Sequence, residues 1–270
     1  MAALFNKPLW GSQRQNVGLW AGGLWGSQLR GTLDQLQALI NSLFGASEQG
    51  AFYIPRPVVN GAQAIFQDSA GTVPVTADGD PVGLMIDQSG NGNHATQSVS
   101  GRRPVYRTDG VLHFLEFDGI DDNLDFSISD RKSDMYVGIV HKATGSLQYG
   151  LLGGSSNSRI ILSLGTNPAI FFPDSPDSYI CSIDNEIVSS PGNRPGSSII
   201  GTRANGVYTV TEIDSARLNQ SNFDNISIGG SLTLHYFEGE MQSLIITEKP
   251  NASNRQKVTQ YLADQAGITL

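Results

Sequence analysis

The 270-residue chain carries 17 Lys and Arg against 25 Asp and Glu, for a formal net charge of -8. Its basic residues form nothing larger than pairs such as Arg102-Arg103 and Arg131-Lys132, which argues against binding nucleic acid through phosphates. One cysteine, Cys181, excludes an internal disulfide framework and a cysteine zinc site.

Hydrophobic residues make up 39% of the chain, enough for a core. Its 31 glycines and low charge describe many short strands joined by turns. The start, Met1 to Pro8, lacks a basic stretch followed by an apolar one. It predicts a protein made and assembled in a cytoplasm, with no membrane insertion.

Residues 1–50 differ from the rest. They hold all three tryptophans, Trp10, Trp20 and Trp25. Leu9-Trp10-Gly11-Ser12-Gln13 returns as Leu24-Trp25-Gly26-Ser27-Gln28, and Leu19-Trp20-Ala21-Gly22 is a degenerate third copy. Glycine after the tryptophans disfavours a regular helix. An arm that cannot bury its own indoles is expected to dock them on a partner protein or a neighbouring copy, so Trp10, Trp20 and Trp25 are the predicted partner-anchoring residues; the alternative is that the arm folds back on its own sandwich.

A short helix follows, with Thr32-Leu33-Asp34-Gln35 as a capping box and Gly45 as its stop. Leu33, Leu36, Ile40 and Leu43 fall at a/d spacing. Fewer than two heptads cannot hold a coiled coil alone, but beside two copies of itself this stripe is a candidate self-association surface for a trimer. The alternative is an ordinary amphipathic helix lying on its own domain.

Residues 51–82 read as an irregular lead-in, punctuated by Pro55, Pro57, Asn60-Gly61, Ala70-Gly71 and Asp78-Gly79. From 83 to 270 the pattern is of short strands. They are predicted at 112–117, 124–128, 135–141, 159–164, 179–183, 198–202, 207–213, 225–229 and 240–247. Ser253 and Gln256 predict a closing helix with Val258, Tyr261 and Leu262 facing inward and Gly267 as its stop. The fold class expected is all-β, an antiparallel sandwich with a C-terminal helix and an N-terminal extended arm plus short helix.

Three stretches carry a resemblance. They are Asp87-Gln88-Ser89-Gly90-Asn91-Gly92-Asn93-His94-Ala95, Leu115-Glu116-Phe117-Asp118-Gly119-Ile120-Asp121-Asp122, and residues 226–262. In this order they resemble the concanavalin A-like, laminin-G-type jelly roll. The lead-in Ile65 to Thr72, Pro74 to Thr76 and Asp80 to Met85 is similar to a segment of tailed-bacteriophage virion proteins.

The resemblance implies a virion structural protein, a tail-fibre or head-decoration component. The arm would anchor it to other capsid or tail proteins, and a lectin-like domain would meet a host-surface glycan or protein. Tyr149, Phe171, Phe172 and Tyr208 are sugar-stacking candidates by type, with core packing as the alternative for each. The wider fold binds calcium in many members, and Asp87, Asp121, Asp122 and Asp125 would supply its hard oxygens. Their spacing is not that of a dedicated loop, and the same acids suit turn capping, so no cofactor is expected.

The fold, as the resemblance implies it, usually performs no chemistry, and the chain is expected not to be an enzyme. The alternative is a glycan-degrading depolymerase, which needs two carboxylates facing one cleft. Glu116 and Asp118 would share a strand face. The next same-face position, where hydrolases of this architecture carry a third acid, is Ile120. His94, His113, His141 and His235 are scattered without metal-ligand spacing.

Overall fold

Strands whose alternate residues are apolar bury one face each, and here they do so by stacking two antiparallel sheets. A computed structural model describes residues 35–132, 135–144, 148–154, 159–164, 167–169, 180–183, 186–187, 208–216, 223–231 and 235–267. The arm and Leu33 lie outside these residues, as do Phe171, Phe172 and the strand expected at 198–202.

In spatial order the first sheet runs β15 (Glu186–Ile187), β14 (Ile180–Ile183), β16 (Thr209–Ala216), β10 (Met135–Ala143), β20 (Glu238–Glu248), β8 (His113–Asp118) and β7 (Val105–Thr108). β1 (Gly50–Tyr53) also pairs with β20. The second sheet runs β13 (Asn167–Ala169), β12 (Arg159–Leu164), β11 (Gln148–Gly154), β17 (Ile226–Ile228), β9 (Leu124–Phe126), β6 (Ala95–Thr96), β5 (Leu84–Met85) and β4 (Ile65–Phe66). Two hairpins, β2 (Val58–Val59) with β3 (Ala62–Gln63) and β18 (Gly230–Ser231) with β19 (His235–Tyr236), stand beside them. The result is the expected antiparallel jelly-roll sandwich.

The core lies between the sheets. Val137 and Ile139 of β10 and Leu244 and Ile246 of β20 meet Leu124, Phe126, Ile226 and Ile228 of the second sheet. Tyr53 and Phe126 cross the gap edge to face, their ring centres 5.1 Å apart.

Residues 51–82 belong to this sandwich rather than preceding it. Ala51 and Tyr53 of β1, together with Ile65, Val75 and Val82, are fully buried in the same core. Strands of two residues, such as β4, carry too little periodicity to be read against so many turn signals.

Asp87 ties β1 down. Its buried Oδ1 accepts the backbone N–H groups of Phe52 (2.9 Å) and Ser89 (2.9 Å). Its Oδ2 accepts the Ser89 hydroxyl (2.7 Å) and the Asn93 amide (3.0 Å). Asn91 and Asn93 then donate to the Gly50 carbonyl at 3.1 and 2.7 Å. The Gly90-Asn91-Gly92-Asn93 turn, with both glycines at positive φ, is thus a clamp on the first strand of the sandwich.

Helix α1 (residues 35–44) stops before Gly45, as expected. Ile40 and Leu43 are buried within the chain, and Leu36 is half-buried. The Leu43 carbonyl accepts the Thr247 hydroxyl at 3.5 Å, and the Ser42 carbonyl accepts the Asn254 side-chain amide at 2.6 Å.

Helix α2 (Ala252–Ala266) begins earlier than expected. Asn251, not Ser253, is its N-cap, accepting from the Asn254 amide at 2.9 Å. Gly267 closes it in the left-handed conformation, as expected. Val258 and Leu262 are buried, and Tyr261 meets Phe52 edge to face at 5.5 Å. Underneath, buried Glu212 accepts the Tyr136 hydroxyl (2.5 Å) and the Thr259 hydroxyl (2.7 Å). Gly138 leaves room for the helix, since a Cβ there would stand 2.7 Å from Leu262 Cδ1. No helix among the described residues is long and apolar enough to cross a membrane.

Asp87→Asn replaces an acceptor with a donor facing N–H groups. It is expected to cost roughly 3 kcal/mol of unfolding free energy, read from the denaturant midpoint.

Candidate functional site

Helix α2 covers the outer face of the first sheet over Tyr136, Gly138 and Phe52. At the other end, chain register lays polar side chains across four strands. In β8 the burial alternates, with Leu115 and Phe117 inward and Glu116 and Asp118 outward and exposed. β20 pairs antiparallel with β8, so Glu240 stands directly opposite Glu116, and Glu238 opposite Asp118. Lys142 of β10 stands opposite Glu240 on the other side.

Directly opposed residues share a face, with Cβ atoms about 5 Å apart. Four carboxylates are therefore gathered on two neighbouring strands. Opposed like charges weaken a ladder, so local stability does not account for this arrangement.

Cations stand on both flanks. Arg107 of β7 contacts Glu116 at 2.6 Å and Asp78 at 3.6 Å. Lys142 contacts Glu240 at 2.5 Å and lies 4.8 Å from the centre of the Tyr208 ring. The Tyr208 hydroxyl also donates to Glu240. Burial, followed by that bond, raises the Tyr208 phenol well above its usual range.

Between the acids lies a cleft of about 240 Å³, lined by Glu116, Asp118, Asp122, Glu238 and Glu240 with Val105 and Thr144. Glycines make the room. A Cβ on Gly119 would stand 2.8 Å from Cβ of Glu238, and one on Gly239 would stand 2.3 Å from the Lys142 carbonyl.

The turn after β8 sets the protonation states. Asp118 Oδ1 accepts the amides of Ile120 (2.8 Å) and Asp121 (3.2 Å). Asp122 is 6% exposed, and its Oδ2 accepts the Asp118 amide at 3.1 Å. Burial, then the nearby Asp118 charge, pushes the Asp122 carboxyl up to about 7. A carboxylic acid that holds its proton to about 7, in one cleft with other carboxyl groups, is suited to acid–base chemistry.

Of the acids read as calcium ligands, the fold brings Asp121 and Asp122 together with Asp118, all within 4.8 Å. Asp87 is consumed by the β1 clamp. Asp125 is held by the Asn123 side chain at 2.9 Å. Asp121 pairs with Arg102 at 3.4 Å, and Asp118 holds its turn. The group therefore fits turn capping better than a cage for a metal.

Glu116 and Asp118 do share the face expected of them. Ile120, the position read for a third acid, lies beyond the end of β8 and is 72% exposed. The further acids, Glu238 and Glu240, come instead from β20, and only the register joins them to β8. Their alternation in Phe237-Glu238-Gly239-Glu240 was the available signal. Tyr208 bonds Glu240 of the cleft lining, whereas the side chain of Tyr149 lies outside the described residues. Trp10, Trp20 and Trp25 also lie outside them. Ile40 and Leu43 are buried against the chain itself.

No protein-family model and no curated protein matches the chain. Two solved structures are similar to the chain. One is an arabinofuranosidase complexed with arabinofuranosyl-α-1,2-xylobiose, with a TM-score of 0.51 and 12% identity, covering 83% of this chain and 64% of that one. The other is a GH54 α-L-arabinofuranosidase soaked with a cyclic sulfate inhibitor, with a TM-score of 0.49 and 13% identity at the same coverages. This chain therefore spans just under two thirds of their length.

The first of these matches corrects the expectation that the chain is not an enzyme. That expectation rested on the sandwich usually doing no chemistry, and here an arabinofuranosidase shares the sandwich.

The raised Asp122 carboxyl gives a sign. The unfolded state ionises near 3.8, while the folded state holds its proton to about 7. The stabilisation is present below 3.8 and is lost as pH rises through 7. Asp122→Asn cannot ionise, so its thermal midpoint should gain on the wild type between pH 4 and 7.5 and hold that gain above 8.

Proposed function

We propose that the chain is a glycan-active β-sandwich of a bacteriophage particle, which cleaves a glycosidic bond at the acidic cleft. The observation that carries this reading is buried Asp122, its carboxyl pushed up to about 7, lining the same cleft as Glu238 and Glu240. Asp122 donates its proton to the glycosidic oxygen, breaking the bond to the anomeric carbon. A carboxylate of Glu238 or Glu240 supports the charge at that carbon, and water adds its hydroxyl at the new reducing end while its other proton returns to the Asp122 carboxylate. The fold shared with arabinofuranosidases is compatible with such chemistry. Tyr208, beside the cleft, offers a ring face to a sugar.

The particle setting is supported by the likeness of residues 65–85 to virion segments. In that setting the arm anchors the chain through Trp10, Trp20 and Trp25. Leu33 and Leu36 supply the part of the apolar stripe that remains for neighbouring copies. Many weak sites on one particle then act by avidity.

Release of reducing ends from bacterial surface polysaccharides tests the activity. Asp122→Asn should lower it by at least about 100-fold, as should Glu238→Gln or Glu240→Gln. The wild-type rate should fall as pH rises above about 7, as the Asp122 acid ionises. Failure to cleave any such polymer would sink the reading. Light scattering tests the assembly: the full chain is expected to be a trimer and a chain starting at Gln35 a folded monomer, and two monomers would refute it.

A further inference from the structure

We infer that the cleft takes a glycan without acid groups and rejects uronate-bearing or sulfated chains. This rests on the glycan-active reading above and adds the substrate class. The acids across the four strands outnumber the bases. Glu116, Asp118, Glu238 and Glu240 line the cleft, while Arg107 and Lys142 stand at its flanks. Each cation is already drawn onto a carboxylate, Arg107 onto Glu116 and Lys142 onto Glu240, and Lys142 is further held over the Tyr208 ring.

A chain with a carboxylate on each sugar would lay like charge against like in the cleft, which discriminates against it. Asp122 shares the cleft with these acids. It is 6% exposed, it lines the cleft, and its Oδ2 accepts the Asp118 amide. Protonated near neutrality, it offers a donor to an uncharged hydroxyl or ether oxygen. An incoming carboxylate would raise its affinity for the proton further and hold it out of use as an acid.

Glu116 sets the sign on one side, because it covers the Arg107 guanidinium. Both are well exposed, at 47% and 39% of the side chain, so the position tolerates change.

The experiment is affinity electrophoresis of the full chain at low salt. The gels contain arabinoxylan, dextran or mannan as neutral polymers, and polygalacturonate, alginate or heparin as acidic ones. The wild type is expected to be retarded by at least one neutral polymer, and at least about tenfold less by every acidic one. Glu116→Gln and Glu116→Lys, with far-UV melting curves like the wild type, are expected to gain retardation by polygalacturonate, the lysine variant more.

Stronger retardation of the wild type by an acidic polymer than by any neutral one overturns this inference and leaves the glycan reading standing. Unchanged acidic-polymer retardation in both folded variants also overturns it. Retardation by no polymer in any form removes the glycan reading itself, and this inference with it.

Discussion

The register of β20 is the constraint on which the rest depends. Its eleven residues pair with β10 along one edge and with both β1 and β8 along the other. Every outward residue of four strands is placed by that ladder. A slip of one residue would turn Glu238 and Glu240 into the core and Met241 out of it, at a cost no surface interaction here would offset. Burial of Met241, Leu244 and Ile246 therefore also fixes the acids.

The same strand divides the outer face into two uses. Its C-terminal half, with β1 and the middle of β10, lies under α2, where Phe52, Gly138 and Glu212 are shaped to the helix. Among the described residues, no helix covers its N-terminal half. A break in pairing between Val140 and His141 separates the two halves. Such irregularities re-aim side chains and recur beside functional sites. Asp87 contributes from a distance: by holding β1 at the edge of β20, it completes the platform on which α2 rests.

The cleft itself breaks the rule that like charges avoid direct opposition. Its compensation is visible in Arg107 and Lys142 on the flanks and in Asp122, which keeps its proton. Gly119 explains why the Phe117-Asp118-Gly119 sequence reads as it does. The glycine permits a left-handed turn and also leaves the space that the Glu238 side chain occupies.

Much of this was legible in the residues. Alternation in His113 to Asp118 gave the strand and its two faces, because period two is a local property. Asn251 to Gly267 gave a helix, misjudged at its start only because two capping residues stood close together. The clamp at Asp87 was visible as a turn, though not as the anchor of β1. The two-residue strands in 51–82 were not legible, since so short a segment takes its conformation from its partners.

The site was half written. Glu116 and Asp118 could be placed on one face from sequence alone, but Glu238 and Glu240 lie about 120 residues further on, and only long-range pairing sets them opposite. The raised Asp122 carboxyl depends on burial and on a neighbour's charge, which exist only once the sheets have closed. The sequence by itself determined which residues alternate and where the chain turns. Which acids meet, and which of them keeps a proton, the tertiary structure decided, because register and desolvation belong to the packed chain.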